Sequence, residues 1–596
     1  MNPPTVLLES YSAERDTDSF AFSGYRGELA AYRPEEVIPV LEEVEREVEQ
    51  GRHAAGFLSY EAASGLDPVL KTREGGALPL AWFSMFDERL KTAPETARES
   101  SAFSLSEWRP SITRSSFDRS IQRVRDYITA GDTYQVNFTF RMQADFDGDA
   151  YGLYQDLCRA LRPSYCAYID TGRFQILSAS PEQFFSLRGD RLSARPMKGT
   201  GRRGRWTEED DANSDLLQKS TKDRAENVMI VDLLRNDLGR VSDVGSVTVR
   251  NLWEVERYET VLQMTSTLES RLKPKTGIVE VLKSTFPCGS VTGAPKVRTM
   301  EIISELEDRP RGIYTGCIGF ISPGPDVRFN VPIRTVWIDG ERGLAEFGVG
   351  CGVTHDSRPD EEYEECRLKA RFLGTRKPEF DLLETLRFDE DKGYFLLDRH
   401  LERLRNSARY FGFRCNTAQV ETALREEVDG QKRGSYRIRL TLSRFGDISV
   451  SRELLHERDR EVRFRTGISD LPVDSGDVML FHKTTHRRPY DERLSRREHC
   501  DEVILVNERG EVTECSIGNL VAEIEGRGVT PPLRCGVLPG TFRSELLETE
   551  RIEERLLNVD DLCGAEALYL INSVQGWVPL ELVDSTSQTT CENLRV

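Results

Sequence analysis

The feature that most constrains this chain is a stop. The stretch EEYEECRLKARFLGTRKPEF carries a charged helix into Gly374 and Pro378, a residue that ends helices and one that cannot continue them. The residues after it, DLLETLRFDEDKGYFLLDRHLERL, read as strand, Asp/Gly turn, strand and helix, a second folding unit beginning afresh. The break falls near residues 375 to 380 and predicts a first domain over residues 1–376 and a second over 380–596. At 596 residues the chain is too long for one core, and either part can bury a core of its own. Both parts mix apolar strand-like runs (CIGFIS, DEVILVN) with amphipathic helical ones (FDRSIQRVRDYITAG), which predicts an α/β or α+β class. Residues 92–112 are polar, lack apolar periodicity and read as a loop or linker inside the first part.

Charge narrows the partners. With 81 Lys plus Arg against 100 Asp plus Glu, the net charge of -19 repels phosphate backbones and anionic membranes, so neither nucleic acid nor membrane is an expected partner. No apolar run approaches bilayer length, and MNPPTVLLESYSAERD lacks the basic and apolar regions of a signal peptide, so a cytoplasmic location is expected. Twelve cysteines without a CxxC pair argue for reduced thiols rather than a zinc site or redox dithiol. HKTTH lacks the glutamate of a zinc protease, and GVGCG and GSVTGAPK lack the spacing of dinucleotide and Walker loops. Both glycine clusters are expected to serve tight turns or close backbone approach.

Against this background a few amines and acids stand out. Lys198 lies in ARPMKGTGRRGR; alone, a lysine in a basic loop is ordinarily a solvated charge. Glu362 and Glu365, three apart at a helix start, project from one face and can share a hard cation or simply complement the helix dipole. Glu226 falls in the helical pattern DRAENVMIVDLLRNDLGR, and Glu182 follows a proline turn in SASPEQFF, where a helix N-terminal acid is the plainest reading. In the second part, Lys483 follows a strand-like DVMLF, Glu514 ends the second strand of a hairpin in DEVILVNERGEVTECSIGNL, and TPPLRCGVLPGTFR offers a Gly-rich turn into a helix. Arg403 sits on the helix DRHLERLRNSARYFG. An amine for a Schiff base, an acid for a pyridinium nitrogen and a phosphate cup are the minimum for pyridoxal phosphate.

The order and wording of the segments in the first part carry more. AGDTYQVNFT, SPEQFF, PMKGTGRRGR, DRAENVMIVDLLRNDLGRV, FPCGSVTGAPKVRTMEIISELE, RGIYTGCIGF, FNVPIRTV, GVGCGVTHDS and EEYEECRLKA together resemble the chorismate-utilising enzymes, the family of anthranilate, aminodeoxychorismate and isochorismate synthases. The resemblance runs from about residue 110 to 372, with echoes in LLES and GFLSYEA. It implies two packed β-sheets flanked by helices. It also implies Mg²⁺ held by Glu226, Glu365 and, through water, Glu362, a choice suited to a cation that keeps water or substrate oxygens in its octahedron. Arg334 and Tyr314 then grip the other carboxylate of chorismate, the backbone amides of Gly350 and Gly352 lie beside it, and Gln135 and Thr292 complete the substrate set.

Within the family, Gln135 replaces the water-activating lysine of isochorismate-type members, and PMKGT puts Lys198 where anthranilate synthases read PLAGT, as aminodeoxychorismate synthases do. The resemblance therefore implies amination of chorismate at C4 to 4-amino-4-deoxychorismate: Lys198 attacks C2 as the C4 hydroxyl leaves, Glu182 protonates that hydroxyl, and ammonia expels the lysine. An ordinary lysine is neutral to only about four parts in ten thousand at pH 7, and a three-unit depression is worth roughly 4 kcal/mol. Desolvation together with inward-pointing Arg195, Arg202 and Arg203 is the expected source. Gln263 stands where the family has a histidine, which leaves a hydrogen-bonding role and removes a proton-transfer one. Without a GxCxG elbow and HxE in the chain, ammonia is expected from a separate glutamine amidotransferase subunit. LLES matches a tryptophan pocket of the family; here Leu7 and Leu8 are read as strand residues.

The second part, about residues 381–582, resembles the fold-type IV pyridoxal phosphate enzymes, a group that includes branched-chain and D-amino-acid transaminases and aminodeoxychorismate lyase. The resemblance implies two α/β subdomains, a cofactor on Lys483, which also moves the proton, a ring nitrogen held protonated by Glu514, and phosphate bound by Arg403, Val537, Leu538 and Thr541. By analogy with the fold it also implies a homodimer through this domain. KTTHRRPYD looks like the lyase-type sequence, so the two parts together imply synthesis of 4-aminobenzoate with release of pyruvate. The competing readings are an anthranilate synthase component joined to an aminotransferase, and a non-catalytic regulatory protein with decayed sites.

Overall fold

The computed structural model describes residues 4–11, 18–92, 102–370, 373, 378–430, 434–455 and 462–583; Gly374, the predicted helix stop, lies outside them. The chain divides into two compact units, Met1–Arg203 with Asn213–Lys377 and Gly204–Ala212 with Pro378–Val596.

Among the described residues of the first unit, every strand pairing is antiparallel. One half of the sheet runs from Leu268–Arg271 through Arg191–Arg195, Gln183–Arg188, Asp326–Asn330, Cys317–Ser322 and His53–Leu58 to Ala81–Thr92. The other runs from Tyr165–Asp170 through Phe174–Ser180, Thr335–Asp339 and Leu344–Val353 to Gln135–Gly148. Ser19–Ala31 and Thr5–Glu9 join the halves, which places Leu7 and Leu8 in a strand as read. The two halves face each other across an apolar layer that includes Val6, Leu8, Phe57, Trp82, Ile169, Ile176 and Phe320. Alternation along each strand supplies this inner face and an outer one, and both must be covered.

Helices cover the outer faces. Arg114–Thr129, capped by Thr113 accepting from Ser116 N, buries Phe117, Ile121 and Val124 at helical spacing. Each such side chain contributes roughly 1.5–3 kcal/mol of burial. Pro359–Ala370 joins the same cluster through Cys366, while Pro34–Glu49, Thr221–Val241 and Ile278–Thr285 cover the opposite face. A small separate sheet, Met197–Arg202, Val261–Thr265 and Glu254–Arg257, carries Lys198.

The polar stretch read as a linker contains two short strands, Phe103–Leu105 and Arg109–Pro110, both paired with Gln135–Gly148. They are held by backbone hydrogen bonds to an available strand edge, which require no apolar periodicity; residues 93–101 lie outside the described part.

The second unit has the two α/β subdomains expected. A four-stranded sheet (Gly393–Tyr394, Leu382–Asp389, Ser435–Leu442, Ile448–Leu454) packs on the helices Leu397–Phe411 and Thr417–Val428. An eight-stranded mixed sheet is built around Glu502–Val506, Phe464–Ile468, Gly576–Leu582, Ala567–Asn572 and Asn519–Ile524. The unit includes Gly204–Ala212, where Tyr410 Oη donates to Gly204 O at 2.7 Å and Trp206 lies 5.2 Å from the Phe481 ring. Val478–Phe481, read as strand-like, is a short 3₁₀ turn, because the Asp477 side chain accepts from Met479 N and closes it. Among the described residues no helix is long and apolar enough to cross a membrane.

Candidate active sites

The strand carrying Lys198 slips in register against Val261–Thr265 between Met197 and Thr200. The slip is a bulge that frees Lys198 and Gly199 from the ladder, with Gly199 at φ 98°. Two side-chain amides fasten it. Asn227 Nδ2 donates to Lys198 O at 3.2 Å and Gln263 Nε2 to Gly199 O at 2.9 Å, while Gln263 Oε1 accepts from Thr200 Oγ1 at 3.1 Å. Gln263 therefore holds backbone.

The Lys198 amine is directed at the neighbouring strands. A Cβ added at Gly352 would lie 2.7 Å from Lys198 Nζ and 2.4 Å from Gln135 Nε2, so only glycine leaves room for both groups. Gln135 is 2% exposed and its Oε1 has no hydrogen-bond partner, an acceptor whose desolvation cost a ligand donor would offset. Glu182, 3% exposed, accepts from Ser290 Oγ at 2.6 Å. It precedes the strand Gln183–Arg188 rather than a helix, because the chain after Pro181 pairs with Asp326–Asn330. Burial pushes its carboxyl up to about 7, against the Ser290 bond and the charge of Lys198.

Burial also holds the Lys198 amine below its ordinary range; Glu226, Glu365 and Glu182 oppose the depression and the like charge of Lys369 adds to it. The expected arginines do not contribute. Arg195 pairs with Glu254 at 2.8 Å and with Glu256, Arg203 donates to Tyr258 O, and Arg202 is exposed, because each finds an acceptor or water outside the site. Lys369, one helical turn beyond Glu365, was not singled out by the sequence. Its Nζ reaches Glu365 Oε1 at 2.5 Å and Gly350 O at 3.0 Å.

Glu226 on Thr221–Val241 and Glu365 on Pro359–Ala370 act on the amine, and Glu362 on the same helix as Glu365 acts on Glu226. Burial raises Glu226, and Glu362 adds repulsion. Burial also works to raise Glu365, but Lys369 outweighs it and leaves this carboxyl below its usual range. Among the described residues no three His, Cys, Asp or Glu side chains form a ready metal cage. This donor set is all carboxylate oxygen and only loosely grouped. It fits a magnesium ion that keeps water and substrate oxygens better than one enclosed by protein.

Tyr314 packs beneath the Leu344–Val353 strand, where a Cβ at Gly348 would meet its ring at 2.2 Å, and burial raises its hydroxyl to about 12. Arg334 sits at φ 53°, and its guanidinium makes no hydrogen bond or ion pair with described residues. Thr292 is buried with its hydroxyl spent on Cys288 O at 3.1 Å, which leaves its backbone, holding Asn137 N at 2.8 Å, as the useful part. Gly350 offers its carbonyl to Lys369.

In the second unit a cavity of about 330 Å³ is lined by Arg403, Lys483, Glu514, Leu538 and Thr541 among others; Val537, fully buried, is not in its lining. Burial and the charge of Arg403 lower the Lys483 amine to about 8. Burial raises Glu514 to about 7, while it accepts from Leu538 N (3.0 Å), Tyr490 Oη (3.0 Å) and Asn519 Nδ2 (2.9 Å). Tyr490 and Asn519 carry no motif signal in the sequence. Arg403 donates to both oxygens of Glu384, at 2.9 and 2.6 Å. A buried amine depressed toward neutrality, a protonatable acid and a cationic corner in one cavity fit pyridoxal phosphate chemically.

Comparison with known proteins bears on both units. Residues 381–583 match the model of amino-transferase class IV. The first unit is 42% identical over 276 residues to aminodeoxychorismate synthase component 1 of Bacillus subtilis, covering 46% of this chain and 58% of that protein. It is 40% identical over 267 residues to anthranilate synthase component 1 of Aquifex aeolicus, covering 45% of this chain and 53% of that one. The match thus spans a little over half the length of these relatives. Anthranilate synthase component I of Streptococcus pneumoniae superimposes with a TM-score of 0.52 at 26% identity, covering 59% of this chain and 92% of that one. Residues 4–375 match the chorismate binding enzyme model, and with the bulged lysine, the buried acid and the carboxylate-bearing helices in place, the chain belongs to the chorismate binding enzyme family.

Proposed function

We propose that this chain makes 4-aminobenzoate from chorismate in two steps, amination at C4 in the first unit and pyruvate elimination in the second. The observation that carries the first step is the Lys198 amine, depressed by burial and set against Gln135 and Gly352 in a site that also contains Glu182. An uncharged amine is the nucleophile the chemistry needs. Its nitrogen forms a bond to C2 while both conjugated ring double bonds shift, C1=C2 to C1=C6 and C5=C6 to C4=C5, and the C4–O bond breaks; Glu182, still partly protonated at neutral pH, gives that oxygen its proton and water leaves. Ammonia then bonds to C4, both double bonds shift back and the C2–N bond breaks. Glu226, Glu362 and Glu365 would hold magnesium, which supplies a cation for one substrate carboxylate. The free guanidinium of Arg334 suits the other.

In the second unit, Arg403, Leu538 and Thr541 would hold the phosphate of pyridoxal phosphate and Glu514 its ring nitrogen. When bound, that group withdraws electrons from the carbon bearing the substrate amine. Lys483, near neutrality, takes the C4 proton; the C3–O bond breaks, the enol of pyruvate departs and the ring becomes aromatic. A separate amidotransferase subunit as ammonia source, a homodimer through the second unit and a cytoplasmic location complete this reading.

The deciding experiment supplies the protein with chorismate, an ammonium salt, Mg²⁺ and pyridoxal phosphate and identifies the aromatic product. The expected product is 4-aminobenzoate with equimolar pyruvate. Anthranilate would establish the competing synthase reading, and no turnover of chorismate would favour a regulatory protein.

A further inference from the structure

His400 occupies an unusual position behind the cavity of the second unit. It lies three residues before Arg403 on the helix Leu397–Phe411 and is 1% exposed. Its Nδ1 is 2.7 Å from Glu384 Oε2, and its Nε2 is 3.3 Å from Thr541 Oγ1. Glu384 thus joins two of the proposed phosphate ligands, Arg403 directly and Thr541 through the imidazole. Although burial opposes it, Arg403 and His400 hold the Glu384 carboxyl at about 2. It is ionised and can only accept, so His400 Nδ1 carries a hydrogen.

That assignment creates a conflict. Burial, with the charges of Arg403 and Lys483, lowers the imidazole from its ordinary range against the pull of Glu384, in favour of the neutral ring. The neutral ring with hydrogen on Nδ1 has a lone pair on Nε2, and the Thr541 hydroxyl must donate to it. Thr541 would then turn only lone pairs toward a phosphate dianion, which is itself acceptor only. Among the described residues, the charged side chains of the helix Thr541–Glu548 are directed elsewhere: Glu545 and Glu548 pair with Arg399, and Arg543 donates to Glu554.

We propose that phosphate binding in this cup is coupled to uptake of one proton from solvent at His400 Nε2, so that Nε2–H donates to Thr541 Oγ1 and the Thr541 hydroxyl donates to the phosphate. The Glu384–His400–Thr541 chain then becomes a one-way series of donors ending on the anion, and His400 is a positioning residue. This rests on the assignment of the cavity to pyridoxal phosphate.

The test is ¹⁵N NMR of the full-length protein with ¹⁵N-labelled histidine, the His400 signals being identified by their loss in His400→Gln or, if that variant folds poorly, His400→Asn. Without ligand, Nε2 should give the shift of an unprotonated ring nitrogen. With pyridoxal phosphate it should move to that of a protonated one, and with pyridoxal, which lacks the phosphate, it should not. In His400→Gln the affinity for pyridoxal phosphate, read by absorbance titration, should fall about tenfold or more, the scale of one hydrogen bond to a charged group. Bound pyridoxal phosphate with Nε2 still unprotonated, or equal protonation by pyridoxal, would overturn the coupling while leaving the cofactor assignment intact. Failure of the wild-type protein to bind pyridoxal phosphate at all would overturn both.

Discussion

Lys369 Nζ reaches across one helical turn to Glu365 Oε1 at 2.5 Å and, beyond it, to Gly350 O at 3.0 Å. The pair ties the carboxylate-bearing helix Pro359–Ala370 to the strand Leu344–Val353 that forms one wall of the Lys198 site. It also sets two charges that act on Lys198 in opposite directions.

Replacing Lys369 by Met therefore removes a like charge from Lys198 and releases Glu365 to attract it. Both changes raise the Lys198 amine. The acid limb of the chorismate amination profile should move to higher pH, with activity at a fixed pH on that limb falling about tenfold per unit moved. A pH series with saturating ammonium salt measures it, and an unmoved limb would mean that Lys198 is not the titrating nucleophile.

Glu182 makes a second test through stability. Its folded value, about 7, lies above the ordinary 4.5, so the folded state binds the proton more tightly. Stability from this group is complete below pH 4.5 and is lost as pH rises through 7. Glu182→Gln has no such loss: urea unfolding should show it gaining on the wild type between pH 4.5 and 7, by up to roughly 3 kcal/mol. Its amination rate should nevertheless be about 10²–10⁴-fold lower.

Gly352→Ala places a methyl 2.7 Å from Lys198 Nζ and 2.4 Å from Gln135 Nε2. Both contacts are with side-chain ends that can move aside, so the fold should tolerate the change while the amine is displaced. The expected result is a melting temperature within a few degrees of wild type and a loss of about 10²-fold or more in chorismate turnover.

Lys483→Ala should separate the two steps. The lysine lines the second unit's cavity, so amination should continue while 4-aminobenzoate formation stops, and 4-amino-4-deoxychorismate should accumulate in a mass-spectrometric time course. Continued 4-aminobenzoate formation at the wild-type rate would show that Lys483 does not move the proton.

Much of this was legible in the sequence, and the reasons differ by residue. The helix Arg114–Thr129 and the hairpin bearing Glu514 follow from periodicity and turn residues, which are local signals. Lys198, Glu226 and Lys483 stand out because their neighbours in the chain form recognisable segments. Lys369, Ser290, Tyr490 and Asn519 were missed, since each acts on a partner chosen by packing rather than by spacing. Glu365 and Lys369 are an ordinary i,i+4 pair until Gly350 is brought alongside. The arginines around Lys198 were misread for the same reason, because sequence proximity does not say which way a side chain points.

By itself the sequence determined the mixed α/β class, the family resemblance of each part and which two lysines to single out, because these depend on local pattern and on which residue types occur; that Gly204–Ala212 belongs with the second unit it did not show. Only the tertiary structure decided what lowers those two amines from their ordinary range. Burial sets the direction of their shifts, and the residues that tune it, Lys369 for one and Arg403 for the other, lie on different elements and meet through packing. Electrostatic free energy depends on distance through the folded protein, a quantity that the order of residues along the chain does not contain.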